Sequence, residues 1–474
     1  MTYAFSFDAS ACSGCKACQA ACKDKNNLPP GVLWRRVIEV SGGEWIQDQT
    51  AWTNTVFAYN FSLACNHCVH PKCAGVCPTN AYQVRDDGIV LLDSSRCIGC
   101  GYCNWACPYA VPQYNQLAGV MSKCNFCYDA IDAGEPPACV AACPLRVLDF
   151  VEIDTQDLEK PGISLWELPG SEHPFPLPVF SRTQPHIRLK QHPAMLNKLE
   201  KVVANREEIK PQKPKSELPL VVFTLLAQMA VGAFWTCQWL FKPLWSLVQS
   251  ETLFLRLLPV SLVGLCLALS MLVSFAHLGM KRNVWRVFSN LRKSWLSREI
   301  LTMGLFGMGC LLFLMIPSMA IGLLISLLGY GLIYSMANVY QLRSMAAWNT
   351  RRTLAGFLLS ALLLGQFFII PVFVLEAQFS GINLAAVYPP WINLFSIMLL
   401  AAELVLAFSV KTDFRKAVGL RVGVILVIIM GLGGALFWPF SAQLEFYATI
   451  FLLLCVEECL GRWLFYSELD RRTL

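Results

Sequence analysis

The 474-residue sequence predicts a two-part chain: an α+β domain rich in cysteine, then an all-α polytopic membrane domain with eight transmembrane helices. Two distributions support this. Sixteen of the 21 cysteines fall between Cys12 and Cys143, while Cys237, Cys266, Cys310, Cys455 and Cys459 are scattered through apolar sequence as small buried hydrophobes. From Leu218 onward, apolar segments of about 20 residues recur, each long enough to cross a bilayer as a helix. Composition agrees, since 55% apolar and 15% charged residues is too apolar a balance for one water-soluble globule. The net charge of +6 is modest, and no basic run points to nucleic acid.

The cysteines form four runs. Cys97, Cys100, Cys103 and Cys107-Pro108 have the bacterial ferredoxin spacing, in which three thiolates bind one [4Fe–4S] cluster and the fourth reaches a second. Cys12, Cys15, Cys18 and Cys22 share that spacing, with Lys23 in place of proline. Cys65, Cys68, Cys73 and Cys77-Pro78 have two extra residues in the central gap, and Cys124, Cys127, Cys139 and Cys143-Pro144 widen it to eleven. Sixteen ligands suffice for four cubanes with none left over. Disulfides and four-cysteine zinc sites are the competing reading. Zinc prefers two well-separated C-x2-C pairs per metal, and triplets closing on Cys-Pro do not fit that pattern.

Between the second and third runs, Asp87-Gly88 before Ile89-Val-Leu-Leu92 reads as a hairpin turn, as inside a two-cluster ferredoxin module. Those two runs therefore pair, and the first and fourth pair by elimination. The result is a double ferredoxin-like domain. Crossed ligation predicts four sets: Cys12, Cys15, Cys18 with Cys143; Cys22 with Cys124, Cys127, Cys139; Cys65, Cys68, Cys73 with Cys107; and Cys77 with Cys97, Cys100, Cys103.

The cluster domain is expected over residues 1–193, a linker over 194–217 and the membrane domain over 218–474. Pro169, Pro174, Pro176, Pro178 and Pro185 suggest an extended arm over the cluster domain, and Lys210-Pro-Gln-Lys-Pro-Lys215 closes the linker. The eight spans are placed near 219–241, 257–279, 299–317, 319–340, 353–376, 390–410, 420–440 and 444–466. The opening Met1-Thr-Tyr-Ala-Phe-Ser-Phe7 has no basic n-region or long apolar core, so no secretory signal is expected. Arg35-Arg36 follows the first run and is not expected to act as a twin-arginine signal.

Basic residues gather in the loops on the cluster-domain side: Lys281, Arg282, Arg286, Arg292, Lys293 and Arg298, then Arg343, Arg351 and Arg352, then Lys411, Arg415, Lys416 and Arg421. The opposite loops offer Lys242 and Arg256. The positive-inside rule then puts a multi-pass protein in the bacterial inner membrane with its cluster domain in the cytoplasm. The periplasmic face is the alternative if the folded domain is exported with a partner.

Residues 1 to about 193 resemble the four-cluster iron–sulfur subunit of the dimethyl sulfoxide reductase family of molybdenum enzymes. The resemblance rests on Cys12-Ser-Gly-Cys-Lys-Ala-Cys-Gln-Ala-Ala-Cys-Lys-Asp24, Cys65-Asn-His-Cys68, Ala106-Cys-Pro-Tyr109 with Pro112-Gln-Tyr-Asn115, Lys123-Cys-Asn-Phe-Cys-Tyr-Asp129 and Cys143-Pro-Leu-Arg146. From about residue 218 the chain resembles that enzyme's eight-span anchor, through His277-Leu-Gly279, Ser294-Trp-Leu-Ser-Arg-Glu299 and Gly461-Arg-Trp-Leu-Phe-Tyr466. The resemblance implies a fused, non-catalytic electron-transfer subunit that carries electrons between membrane quinol and a separate molybdopterin-containing catalytic subunit. Cys103 stands where the similar nitrate reductase subunit has tryptophan and a three-iron cluster, so four cubanes are implied here.

Bis-histidine haem needs two axial imidazoles, and of six histidines only His277 lies in an expected span, so no haem is expected. Quinol oxidation releases protons and needs a titratable acceptor. His277, ending the second span, and Glu299, beginning the third, are the candidates, with menaquinone or ubiquinone as the exchangeable substrate. The plainer alternative is that His277 caps one helix and Glu299 starts the next. Glu403 and Glu457-Glu458 also lie in spans, where ionisable groups are costly and usually functional. Arg286, Arg292 and Arg298 either hold a quinone head or the cluster domain, or serve as ordinary basic loop residues. Two further functions compete: reverse flow from a substrate such as sulfite to quinone, and a membrane-tethered polyferredoxin without quinone chemistry.

Overall fold

The computed structural model describes residues 2–153, 183–196, 202–204, 218–240, 253–380, 391–408, 414–436 and 444–467. The prolines at 169, 174, 176 and 178, the Lys210–Lys215 stretch, Lys242 and Lys411 lie outside the described residues. Two compact units form, one of Met1–Lys215 with Leu278–Ser294, the other of Ser216–His277 with Trp295–Arg472. The sequence reading assigns 278–294 to the membrane part, yet it packs within the first unit. The reason is its amphipathic spacing: Asn283, Val287 and Asn290 of the 3-10 helix Lys281–Asn290 are buried, while Lys281, Arg282 and Trp285 are not.

The first unit is built on two small sheets. Strand Thr2–Asp8 lies centrally in one, antiparallel to Leu148–Ile153 and parallel to Ile187–Lys190. Strand Arg36–Gly42 lies centrally in the other, between Phe57–Leu63 and Val202–Ala204, a strand within the expected linker. Phe5, Phe7 and Phe61 are buried together with Phe126; Phe5 stacks on Phe126 at 4.2 Å, and Phe7 meets Phe61 edge-on at 5.3 Å. Each buried ring contributes about 1.5–3 kcal/mol by removal from water. The Asp87-Gly88 hairpin forms where the sequence places it. Tyr82–Val84 pairs with Val90–Leu92, Gly88 adopts φ 78°, and a second hairpin joins Gln113–Asn115 to Val120–Ser122.

The second unit is helical. Among the described residues, seven helices are long and apolar enough to cross a membrane: Leu218–Trp239, Leu258–His277, Trp295–Met315, Met319–Tyr340, Arg351–Leu375, Trp391–Phe408 and Arg415–Ala435. The final helix, Leu444–Ser467, has the length of a span but carries Glu445, Glu457, Glu458 and Arg462. The first and fifth of the seven meet across small residues. A Cβ on Gly232 would run into the Ala361 carbonyl, and one on Gly365 into the Gly232–Ala233 backbone. Such close approach is how helices gain dispersion energy where lipid removes the hydrophobic drive. Leu272, Met308, Leu311, Val405, Met430 and Leu452 are exposed on the outside of this unit, as a lipid-facing surface requires.

Candidate metal centres and the polar sites of the membrane unit

Each cysteine run folds in the same way at its start. The residue just before the second cysteine takes a left-handed conformation in all four: Gly14 (φ 71°), His67 (φ 42°), Gly99 (φ 70°) and Phe126 (φ 64°). The turn brings the N–H groups of Gly99 and Phe126 onto sulfur, and neighbouring backbone adds those of Met121 and Ala81. Gly99 and Met121 donate to Cys97 Sγ at 3.3 and 3.4 Å, Phe126 to Cys124 Sγ at 3.3 Å, and Ala81 to Cys77 Sγ at 3.4 Å. These N–H dipoles stabilise thiolate charge and tune a cluster held there. The third cysteine rides a short helix, as Cys73 does in Lys72–Val76 and Cys103 in Tyr102–Ala106. Proline then forces the fourth cysteine out of helical geometry: Cys77 has ψ 116° and Cys107 ψ 117°. Its thiol therefore leaves its own run. Cys22, followed by lysine, stays inside helix Ala17–Lys25.

The thiols come together in four groups. Cys12, Cys15, Cys18 and Cys143 line one cavity, and Cys65, Cys68, Cys73 and Cys107 line another. Cys22 neighbours Cys127 and Cys139, and Cys124 neighbours Cys22 and Cys139. Cys103 neighbours Cys77, Cys97 and Cys100. All sixteen thiols are free of disulfides. A tetrahedral zinc with bonds of about 2.3 Å would hold its sulfurs about 3.8 Å apart. Among the described residues no three cysteine sulfurs lie within 4.8 Å of one another, so these cradles suit a larger polynuclear group than a single ion. Burial pushes the Cys22 and Cys100 thiols up to about 12, so thiolate there calls for a cationic partner such as iron.

Two buried cations that the sequence reading passed over stand beside these groups. Arg35, 2% exposed, lies among Cys18, Cys22, Cys124 and Cys139, donates to Ser62 Oγ at 3.1 Å and stacks over Phe5 at 4.4 Å. Lys123 lines the cavity of Cys65, Cys68, Cys73 and Cys107, donating to the carbonyls of Val90 and, at 2.8 Å, Cys124.

The segment Leu278–Ser294 clasps the loops of the group formed by Cys77, Cys97, Cys100 and Cys103. Gly279 and Met280 N–H both donate to the Ile98 carbonyl at 3.1 Å. Asn283 Nδ2 donates to the Ser95 and Cys97 carbonyls at 2.8 and 2.9 Å, and Asn290 Nδ2 to those of Gly75 and Cys77 at 3.2 and 2.8 Å. Ser294 Oγ adds a bond to Val76 O at 2.8 Å.

In the second unit His277 is the last residue of helix Leu253–His277 and is buried. Glu299 is buried inside helix Trp295–Met315, four residues past its start, rather than at the helix entrance where the sequence reading puts it. Glu403 and the Glu457-Glu458 pair, which lie in separate apolar segments of the sequence, are gathered with carboxylate oxygens within 4.8 Å of one another. Arg421 joins two of them, donating from Nε to Glu457 Oε1 at 2.6 Å and from Nη2 to Glu403 Oε1 at 2.7 Å. Arg462 donates to Gln228 Oε1 at 2.8 Å and Ser360 Oγ at 3.3 Å, and Ser360 donates to Glu458 Oε2 at 2.8 Å. Arg421, grouped with the basic loop residues in the sequence, lies inside helix Arg415–Ala435, and the partners of both arginines lie in other helices.

The 4Fe-4S dicluster domain matches residues 56–153. The DMSO reductase anchor subunit (DmsC) family matches residues 213–467, more than half of the sequence. This protein belongs to the DMSO reductase anchor family. Ahead of its anchor it carries the iron–sulfur subunit, so it is a fusion of an electron-transfer domain with a membrane domain. The iron–sulfur part of this anchor-family protein is 47% identical over 188 residues to the B subunit of the anaerobic dimethyl sulfoxide reductase of Escherichia coli (strain K12), covering 40% of the present sequence and 88% of that subunit. It is 49% identical over 152 residues to YnfG, a probable anaerobic dimethyl sulfoxide reductase subunit of the same organism, covering 32% and 74%. It is also 40% identical over 159 residues to the thiosulfate reductase electron transfer subunit PhsB of Salmonella typhi, covering 33% and 80%.

Proposed function

We propose that this fusion oxidises menaquinol, or ubiquinol, in the membrane and passes the electrons through four [4Fe–4S] clusters to a separate molybdopterin-containing catalytic subunit of dimethyl sulfoxide reductase type. The proposed ligand sets are Cys12, Cys15, Cys18 and Cys143; Cys22, Cys124, Cys127 and Cys139; Cys65, Cys68, Cys73 and Cys107; and Cys77, Cys97, Cys100 and Cys103. Bound there, the clusters supply one-electron transfer. The protein's own residues hold them by thiolate, donate backbone N–H groups to sulfur and place Arg35 and Lys123 beside them.

His277 is the proposed proton acceptor for quinol, with Glu299 as the second. The supporting observation is the segment that begins one residue after His277: its Gly279 and Met280 N–H groups bond to Ile98, between Cys97 and Cys100. His277 immediately precedes that segment along the sequence, which favours it over the other ionisable residues of the spans. Loop charges favour a cytoplasmic cluster domain in the bacterial inner membrane. Haem-free quinol chemistry accords with His277 being the sole histidine after residue 192.

The test is anaerobic cluster reduction by menaquinol in membranes containing the whole complex, followed by electron paramagnetic resonance. His277→Ala is expected to abolish quinol-dependent reduction while dithionite still reduces every cluster. Undiminished reduction by quinol in that variant would refute the site.

A further inference from the structure

Lys123 carries a buried charge that lacks a protein counter-ion. It is 3% exposed, and among the described residues no carboxylate forms an ion pair with it. A lysine ammonium has three N–H donors. Two go to the carbonyls of Val90 and Cys124, and the third has no partner among the described residues. Those carbonyls alone do not explain a lysine here, because a neutral amide would satisfy them without burying a charge.

The neighbouring cavity offers the missing anion. Lys123 lines it with Cys65, Cys68, Cys73 and Cys107, and it neighbours Cys73. A cluster held by four thiolates is net negative, and each electron it accepts makes it more so. A positive charge fixed beside it in a low-dielectric setting favours the reduced form. Lys72 lines the same cavity but is exposed, where water and salt screen its charge.

Lys123 also stands where two groups of thiols meet. Its side chain reaches the group of Cys65, while its backbone leads directly into Cys124 of another group. Cys124 neighbours Cys65, and the Phe126 ring meets the His67 ring edge-on at 5.2 Å. Arg35 lies on the other side of this junction, among Cys18, Cys22, Cys124 and Cys139.

We propose that Lys123 is a redox-positioning residue, the counter-charge that raises the potential of the cluster of Cys65, Cys68, Cys73 and Cys107. An electron crossing between the paired second and third runs and the paired first and fourth runs then rests on that cluster. This inference rests on the ligand sets proposed above, but not on the His277 site or on the direction of flow.

The experiment is a mediated redox titration of the whole complex followed by electron paramagnetic resonance. The relevant cluster is identified as the one whose signal Cys73→Ser alters. Lys123→Gln keeps a donor for the carbonyls and removes the charge, whereas Lys123→Arg keeps the charge. At a fixed poise Lys123→Gln is expected to lower the reduced-to-oxidised ratio of that cluster about tenfold, a downward shift of about 59 mV. Lys123→Arg and Lys72→Gln are each expected to change that ratio less than about threefold. A cluster lost in Lys123→Gln but kept in Lys123→Arg would also support the counter-charge. An unmoved potential or an upward shift in Lys123→Gln would overturn it, as would loss of the cluster in both variants. Unaltered signals in Cys73→Ser would refute the ligand set itself. An altered signal there, with a potential indifferent to Lys123→Gln, would refute the role of Lys123 alone.

Discussion

Asn283 donates its side-chain amide into the third cysteine run, to the Cys97 carbonyl at 2.9 Å and to the Ser95 carbonyl at 2.8 Å. Asn290, about two turns along the same 3-10 helix, does the same for Cys77 and Gly75 in the second run. The two runs whose thiols form one group are thus held by two asparagines of a single segment. Replacing Asn283 by alanine strands buried carbonyls, at a cost of about 1–3 kcal/mol. Asn283→Ala and Asn290→Ala are each expected to lower the denaturation midpoint of the iron–sulfur unit and to broaden the resonance of the cluster proposed for Cys77, Cys97, Cys100 and Cys103. An unaltered midpoint and spectrum in the double variant would show the clasp to be dispensable.

Gly279 touches the backbone of Gly119 and the Tyr114 hydroxyl so closely that a Cβ would overlap the Gly119 carbonyl. Gly279→Ala is expected to destabilise the first unit by about 1–3 kcal/mol through overpacking. Gly75→Ala is the control, since a Cβ there meets nothing within 4 Å and sits in helix Lys72–Val76. It should be neutral or stabilising by about 0.4–1 kcal/mol. Equal midpoints for the two variants in urea titrations would sink the steric account.

Cys103 is the third thiol of the run from Cys97 to Cys107, riding helix Tyr102–Ala106. With serine in its place, the group keeps Cys77, Cys97 and Cys100 as thiolate donors. Cys103→Ser is expected to contain one iron fewer per molecule and to show a three-iron resonance when oxidised. Full iron content with unchanged spectra would remove Cys103 from the ligand set.

Arg35 sits buried among Cys18, Cys22, Cys124 and Cys139, and among the described residues no carboxylate forms an ion pair with it. Its charge favours the reduced, more negative form of a neighbouring cluster, so neutralising it lowers the potential. At an effective dielectric of about 20 and a distance of about 7 Å, one charge is worth roughly 2.4 kcal/mol, or roughly 100 mV for one electron. Arg35→Met is expected to shift one or both of the clusters proposed for the paired first and fourth runs down by that order in a redox titration, and Arg35→Lys far less. A shift upward would contradict the electrostatic role.

His186 has neither ring nitrogen hydrogen-bonded among the described residues, and burial depresses its pKa to about 4. The unfolded polypeptide takes up that proton near pH 6.5, before the folded one does. The contribution is therefore full above pH 6.5 and is lost as pH falls toward 4, by up to about 3 kcal/mol. His186→Leu is expected to flatten this acid limb in denaturation experiments at pH 7 and pH 5. An identical difference between the two pH values in wild type and variant would assign acid lability elsewhere.

Much of this protein was legible in one dimension. Regular spacing announced the four runs, because a polynuclear cluster needs ligands from a tight local loop. Asp87-Gly88 announced the hairpin that joins two of them, and hydropathy located the long helices. His277 could be read as a helix end because the apolar run stops there.

What periodicity could not supply was the set of partners. In the sequence Arg35-Arg36 reads only as a pair not expected to act as an export signal, until the fold carries Arg35 inward beside Phe5 and the thiols. Asn283 and Asn290 look like ordinary loop residues until their spacing places both on the buried side of a 3-10 helix. Glu403 lies in one apolar segment, Arg421 in the next and the Glu457-Glu458 pair in a third, with nothing local to link them. The sequence by itself determined that a cysteine-rich iron–sulfur domain is followed by long apolar helices, since spacing and hydropathy are local properties. Only the tertiary structure decided which charges neutralise one another, as Arg421 does for Glu403 and Glu457. Those facts depend on packing between helices that lie far apart along the sequence.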